Sequence, residues 1–470
     1  MRNMAGITAA QWWQPDDPEK KIPGVLLEDD DRRWVLELDG SFVEMPDTSS
    51  AHGPIPMRLE NPDGVPILVG TTSNGQLISL IDCTVLDGTI PLPGSRGSTK
   101  IRPTVLVYDV HFKKAEDFRL TSLSIHFSNL DTWAATSGFT LRGFTPSFDQ
   151  LDIHYSLPET VESVLPDGLK VGVDFSRSGP TFPAATSMHL VQQSWLRTTP
   201  VQALPYGDLL RVIENFGNLV ALGVGELPRP LEMFGTCDGR DPSGVERSVK
   251  VRLIRNRAPI ACAPRNVPHW DMLFTLPDVR ERFGEFVSAW FSRADALQSL
   301  YDLYFGTLRS PSMYVEHRFI NMFQALESYD RRTFVPPAEK AQKREEKITR
   351  ILKAVGDRDR KWVEGKMRHG SEAAAAERIS RLVEKFEAGW LLSTEEVTLA
   401  GNMRNYYTHF DPQREQHLPP IDERFQKMHH LAVRLRTLCE LILLDAVGFE
   451  RDWVRDRMQN TKRLERHLGI

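Results

Sequence analysis

The chain has 470 residues, 58 Lys+Arg against 63 Asp+Glu, a formal net charge of −5 and four cysteines. That length allows roughly two to four domains with a core of ample size. With 41% hydrophobic and 26% charged residues, disorder and collagen-like repeats are excluded, and the balanced charge excludes a polybasic nucleic-acid coat or an acidic tail as the whole protein. The average hides an asymmetry. Residues 1–280 hold 25 of the 31 Pro and 22 of the 31 Gly, with a net charge of −8; the remainder carries +3.

Met1 to Trp13 lacks the apolar stretch of a signal peptide, and the greasiest segment, Leu438–Val447, is broken by Glu440 and Asp445. A cytoplasmic protein with no membrane contact is expected. Cys83, Cys237, Cys262 and Cys439 have no metal-ligand spacing, so neither a zinc site nor a disulfide framework is expected.

Short β-rich runs between turn signals fill the first part. They are 33–38, 67–72, 77–82, 104–112, 120–127, 151–155, 169–175 and 249–254. Asn74-Gly75 is a strong hairpin signal. The exception is 208–224, where Leu209, Leu210, Ile213, Phe216, Leu219 and Val220 make a helical stripe. Many strands without intervening helices predict a sandwich-like, recognition-type domain over residues 1–275. His126, His154, Trp133 and Trp195 either line a groove suited to sugars or peptides or alternate between core and solvent.

The period changes at Val279. Phe283, Phe286, Val287 and Trp290 begin a stripe that continues through Leu297, Leu300 and Tyr304 to Pro311. Helices follow at 313–332, 338–355, from Ser371 through Phe386, at 398–409 and at 422–447, with breaks at Pro336-Pro337 and Asp411-Pro412. Short loops between such helices predict an up-and-down bundle over 279–470. The fold class is therefore an α+β multidomain chain, β-rich first and all-α second.

One cluster carries chemistry: Arg404-Asn-Tyr-Tyr-Thr-His409 at the end of a helix. Arg-x4-His alone is weak, because Arg424 and His429 repeat it; Asn directly after the Arg makes the fuller pattern unique to 404–409. Cleavage of RNA by its own 2′-OH needs a proton acceptor, a proton donor for the 5′-oxygen and positive charge on the phosphorane. Histidine titrates near neutrality and suits His409 to the proton transfers. Arg404 offers bidentate donors to phosphate oxygens. Asn405, one turn before His409, can orient the imidazole or hold a phosphate. Tyr406 and Tyr407 are candidates for stacking on RNA bases, with one of them as core packing. Glu327 is a candidate partner of Arg404, or a solvent-facing residue. The basic residues of 340–350 either guide RNA or form a solvated face, with Glu345 and Glu346 favouring the latter. No metal and no cofactor is called for. Arg404 and His409 lie about 140° apart around the helix, so one copy makes a poor site.

An Arg-Asn-x3-His helix inside a C-terminal bundle resembles the HEPN ribonuclease superfamily. Residues 319–332 and the β-rich region ahead of them resemble ApeA-like HEPN proteins, in which His often stands where this chain has Asp330. The resemblance implies antiviral defence by abortive infection and a composite cleft between two copies. It thus implies a homodimer or higher homo-oligomer through the bundle. The expected activity is metal-independent endoribonuclease cleavage of RNA (tRNA among the candidates) to 2′,3′-cyclic phosphate, gated by an N-terminal domain that senses a phage-derived trigger. The alternative is a non-catalytic dimerisation or nucleotide-binding module joined to a β-domain that binds a ligand such as a carbohydrate.

Overall fold

The structure is a computed structural model that describes residues 8–42, 64–88, 97–142, 151–184, 186–240, 246–257, 264–292, 294–335, 338–369, 373–410, 412–461 and 463–468. Cys262, Pro336-Pro337, Ser371 and Asp411 lie outside these residues. Compactness divides the chain into one unit of Met1–Val220, Pro228–Val267 and Leu276–Glu281 and a second of Ala221–Leu227, Pro268–Thr275 and Arg282–Ile470.

In the first unit, six antiparallel strands close on themselves. They are β1 (Thr8–Gln14), β2 (Asp17–Glu28), β3 (Trp34–Leu38), β4 (Val65–Thr72), β5 (Leu77–Gly88) and β6 (Thr99–Tyr108). They run in the order β3-β2-β1-β4-β5-β6, and Thr99–Ile101 of β6 pairs back to β3. Where the periodicity predicts two packed sheets, β6 takes a partner on both edges and the sheet becomes a barrel, which leaves no open edge along the ring. Alternation along β1 turns Ala10 and Trp12 inward. Trp12 is fully buried with Leu26, Leu36, Leu68, Ile78, Leu80 and Leu106. Its indole N–H donates to the Gly24 carbonyl at 3.3 Å. A Cβ on Gly70 would stand 2.4 Å from the indole ring, so only glycine leaves room for it there.

Past the ring, Val105–Tyr108 of β6 pairs with Glu246–Arg255, and the sheet continues to twelve strands through 230–240, 122–127, 187–199, 170–184 and 161–164. The helix expected at 208–224 spans Tyr206–Val224. Leu209, Ile213, Phe216 and Val220 form its buried stripe, and Tyr206 stacks on Phe118 at 4.9 Å. No groove forms from the aromatic candidates. His126, Trp133 and Trp195 are buried; His126 Nδ1 bonds the Ser194 carbonyl at 2.9 Å, and Trp195 packs 5.5 Å from Phe234. Of the four, His154 alone is exposed.

The second unit is helical. Helical segments Phe283–Ser292 and Ala294–Leu308 flank residue 293, and Val315–Thr333, Ala338–Ala354 and Asp357–His369 follow. Ala375–Lys385, Thr394–His409, Pro412–Glu415, Ile421–Val447, Arg451–Asn460 and Arg463–Leu468 complete the described α-helices of this unit. Phe319, Phe323 and Leu326 of the Val315–Thr333 helix are fully buried, as are Leu435, Leu438 and Ile442 of the longest helix. A polar cluster around Glu440 interrupts this core. The Glu440 carboxylate accepts from Tyr304 Oη at 2.7 Å, from Arg436 Nε at 3.1 Å and from Arg463. Those two arginines also donate to the carbonyls of Gly225 and Gly223, at 2.7 and 3.2 Å. A buried acid with this many donors is satisfied, whereas removing Glu440 would leave the buried Arg463 without its anion.

Candidate functional site

The Arg-Asn-x3-His sequence lies on the Thr394–His409 helix, which begins four residues earlier than its apolar periodicity predicts. The reason is local. Ser393 caps the helix by accepting from the Glu396 amide at 3.2 Å, and the Glu396 side chain accepts from the Ser393 amide at 3.0 Å. Val397, Ala400, Gly401 and Met403 are its buried face. A Cβ on Gly401 would come within 2.7 Å of the Ala376 Cβ, so glycine here sets how closely this helix approaches Ala375–Lys385.

Arg404 is held from two sides. One nitrogen donates to Glu327 Oε2 at 2.9 Å and another to Asn405 Oδ1 at 3.2 Å. Glu327 sits on the buried face of the Val315–Thr333 helix, so it is a partner of Arg404 and not a solvent-facing residue. It also accepts from Arg331 at 3.2 Å and lies 3.9 Å from Arg378. One turn on, Asp330 is 2% exposed and receives the two-pronged guanidinium of Arg381, with Arg378 at 3.5 Å. Arg381 in turn lies 4.0 Å over the Phe334 ring, and the Asp330 carboxylate raises its already high pKa. Glu327 and Asp330 thus face four guanidiniums, Arg331, Arg378, Arg381 and Arg404, with Glu377 3.4 Å from Arg381 as a third carboxylate. The locality is cationic although the chain as a whole is not.

His409 is exposed at the last position of the helix. The aromatic residues before and after it form one cluster. Tyr406 and Tyr407 meet edge-on at 5.2 Å, and Phe410 lies 5.7 Å from Tyr406 and 6.0 Å from Tyr407. Both tyrosines are half-buried. Burial raises the Tyr407 phenol above its usual value, with Arg424 opposing. Arg424, the arginine of the second Arg-x4-His match, is brought here as well. It lies 5.6 Å over Tyr406, donates to Glu415 at 3.1 Å and reaches the Pro419 carbonyl at 3.3 Å. Its own His429 instead sits beside His430, with rings 6.1 Å apart.

Phe410 ends the helix with φ of +50°, its amide donating to the Tyr406 carbonyl at 2.5 Å. Glycine or asparagine is usual at such a left-handed position, where a bulky residue costs about 1 kcal/mol. The tetrad of Asp330, Arg378, Arg381 and Arg331, and Phe410 with it, are what periodicity and motif spacing pass over. A signal for the first was available: Glu327 and Asp330 fall three apart on an otherwise apolar face, and Arg378 and Arg381 repeat that spacing. The basic stretch 340–350 exposes Lys347 and Arg350 alongside Glu345 and Glu346, as a solvated helix does. Among the described residues, no helix is long and apolar enough to cross a membrane.

A β-rich unit is followed by a helical one in which the motif arginine bonds to a neighbouring helix. The description "ApeA N-terminal domain 1" matches residues 8–290 and "Apea-like HEPN" matches residues 320–452, and the chain belongs to the ApeA-like HEPN family. HEPN domains of this kind fit a family of antiviral nucleases and commonly dimerise and bind RNA. No curated protein and no solved structure matches the chain.

Proposed function

We propose that the protein is a metal-independent endoribonuclease of antiviral defence whose bundle cuts RNA and whose β-domain restrains it until a phage-derived trigger binds. The observation that carries this reading is Arg404, aimed by Glu327 and Asn405 from the same helix end that exposes His409. In the reaction the 2′-oxygen attacks phosphorus and the P–O5′ bond breaks, leaving a 2′,3′-cyclic phosphate and a 5′-hydroxyl. An imidazole takes the 2′-OH proton or delivers one to the departing 5′-oxygen. Arg404 neutralises the non-bridging oxygens as the phosphorane forms, and its contact with Glu327 fixes the guanidinium in advance.

A second copy, facing the first across a two-fold axis, brings a second Arg404 and His409 to the same phosphate, so that acid and base come from different subunits. The RNA substrate, with tRNA among the candidates, meets Tyr406 and Tyr407 beside the histidine.

The test is cleavage of purified RNA by the full chain in EDTA, with end analysis. Cyclic-phosphate ends and a loss of roughly 100-fold or more in His409→Ala and in Arg404→Ala are expected. Cleavage by His409→Ala at the wild-type rate would sink the assignment. Failure of the wild-type chain to bind or cut RNA would favour the non-catalytic module instead.

A further inference from the structure

We propose that Phe410 is a base-stacking residue of the RNA site, holding the base next to the phosphate that His409 addresses. The inference rests on the ribonuclease reading above and adds to it a residue that neither the motif nor the family description contains.

Several observations converge on this ring. Among the described non-glycine residues with positive φ are Arg32, Asp82, Asp109, Asn129, Ala135 and Glu387, most of them small or polar; Phe410 is the one aromatic. Such a backbone conformation disfavours a large side chain, so helix termination alone would select glycine or asparagine. Burial does not account for the phenylalanine either, since it is 65% exposed. What the left-handed turn achieves is placement. It sets the ring directly after His409 and against the edges of Tyr406 and Tyr407, whose planes meet it at 60° and 76°. Those steep contacts brace the ring without covering it. Tyr406 is itself pinned beneath the Arg424 guanidinium, which Glu415 and the Pro419 carbonyl hold.

An exposed, braced aromatic plane one residue from a proton-transfer group is what an unpaired nucleobase stacks on, and every base presents such a face. In-line attack by the 2′-oxygen requires a sugar–phosphate segment free to leave helical geometry. Capturing the adjacent base out of its stack favours that geometry and selects single-stranded substrates.

The experiment uses full-length protein carrying His409→Ala, so that RNA is bound but not cut, with fluorescein-labelled single-stranded RNA as probe. Phe410→Gly relaxes the left-handed backbone, and Phe410→Asn is a second variant that tolerates it. Both should raise or preserve the melting temperature yet weaken RNA binding by about tenfold. Phe410→Trp should retain affinity, and base-paired RNA of the same sequence should be insensitive to all three changes. A ring that serves only to end the helix predicts the opposite pattern: a more stable protein with unchanged affinity, which overturns the proposal. So does a Phe410→Gly protein that dissociates into smaller species by light scattering while its RNA affinity holds, because the ring would then be a subunit contact. Absence of RNA binding and cleavage in the unsubstituted chain is a separate result; it removes the ribonuclease reading and this inference with it.

Discussion

Arg404 and Glu327 are 77 residues apart in sequence and 2.9 Å apart in space, the cation partly exposed on one helix and the carboxylate nearly buried on another. The two partners are not equivalent. Glu327 accepts from both Arg404 and Arg331 and forms an ion pair with the buried Arg378 at 3.9 Å, whereas Arg404 is one cation among several.

That inequality has a measurable consequence. Glu327→Ala leaves the Arg378 side of the cluster short of negative charge and should lower stability by roughly 3 kcal/mol. Arg404→Ala should cost less than about 1 kcal/mol, because its guanidinium is 26% exposed and Glu327 keeps other partners. Urea unfolding of the two variants checks the order. Equal losses would mean that the cluster is not organised around the buried acid. Both substitutions should still reduce RNA cleavage severely, since either one frees or removes the guanidinium.

Asp330 and Arg381 form the deeper half of the same network. A double-mutant cycle with Asp330→Asn and Arg381→Gln should return a coupling of at least about 1 kcal/mol. The single change Asp330→Asn should also lower cleavage while leaving the ends of the RNA products unchanged, as expected of a residue that acts through Arg404's surroundings. Additive effects on stability would show that the two-pronged contact contributes nothing of its own.

The barrel offers a prediction from shape alone. Gly70→Ala would press a methyl group into the Trp12 indole and should destabilise the chain by about 2 kcal/mol. Gly207→Ala is the matched control on the Tyr206–Val224 helix. Nothing lies within 4 Å of its would-be methyl, and it should be neutral or stabilising by up to about 0.5 kcal/mol. Denaturant midpoints that rank the two the other way would refute the packing described for Trp12.

The pH dependence of the first unit follows from His111. Its Nε2 bonds the Gly70 carbonyl at 2.8 Å, and burial holds its pKa below the ordinary 6.5 despite that bond. The folded form therefore resists a proton that the unfolded chain accepts, and unfolding binds protons. This histidine leaves stability intact above pH 6.5 and erodes it as the pH falls below that value. Hydrogen exchange in β4 and β6 of the full chain should lose protection as the pH falls below 6.5. His111→Gln should flatten that loss, and an equal slope in wild type and variant would exclude His111 as its source.

Much of the architecture was legible because burial leaves a period in the sequence. The stripe from Leu209 to Val220 and the switch at Val279 both mark real helices, and 77–82 and 249–254 mark real strands. Strands such as β2 escaped notice: its Asp17-Pro-Glu-Lys-Lys run is exposed and carries no alternation. Closure of the barrel was illegible for a different reason. It depends on β6 pairing at both edges, a long-range choice that no local pattern records. At the site, the motif stands out by composition, whereas the contact of Glu327 with Arg404 depends on how two helices 77 residues apart pack. Phe410 could not be singled out at all, because a backbone angle is not written in residue type.

Trp12 has a last implication for how the β-domain could recognise anything. Many small barrels hold their ligand in the lumen, but here the lumen is occupied by the protein's own indole, with Gly24 and Gly70 shaped around it. On the proposed function, the trigger is therefore expected to be read from outside this barrel, by rims, loops and strand faces. A search for the trigger is therefore better directed at macromolecular surfaces than at metabolites small enough to be swallowed.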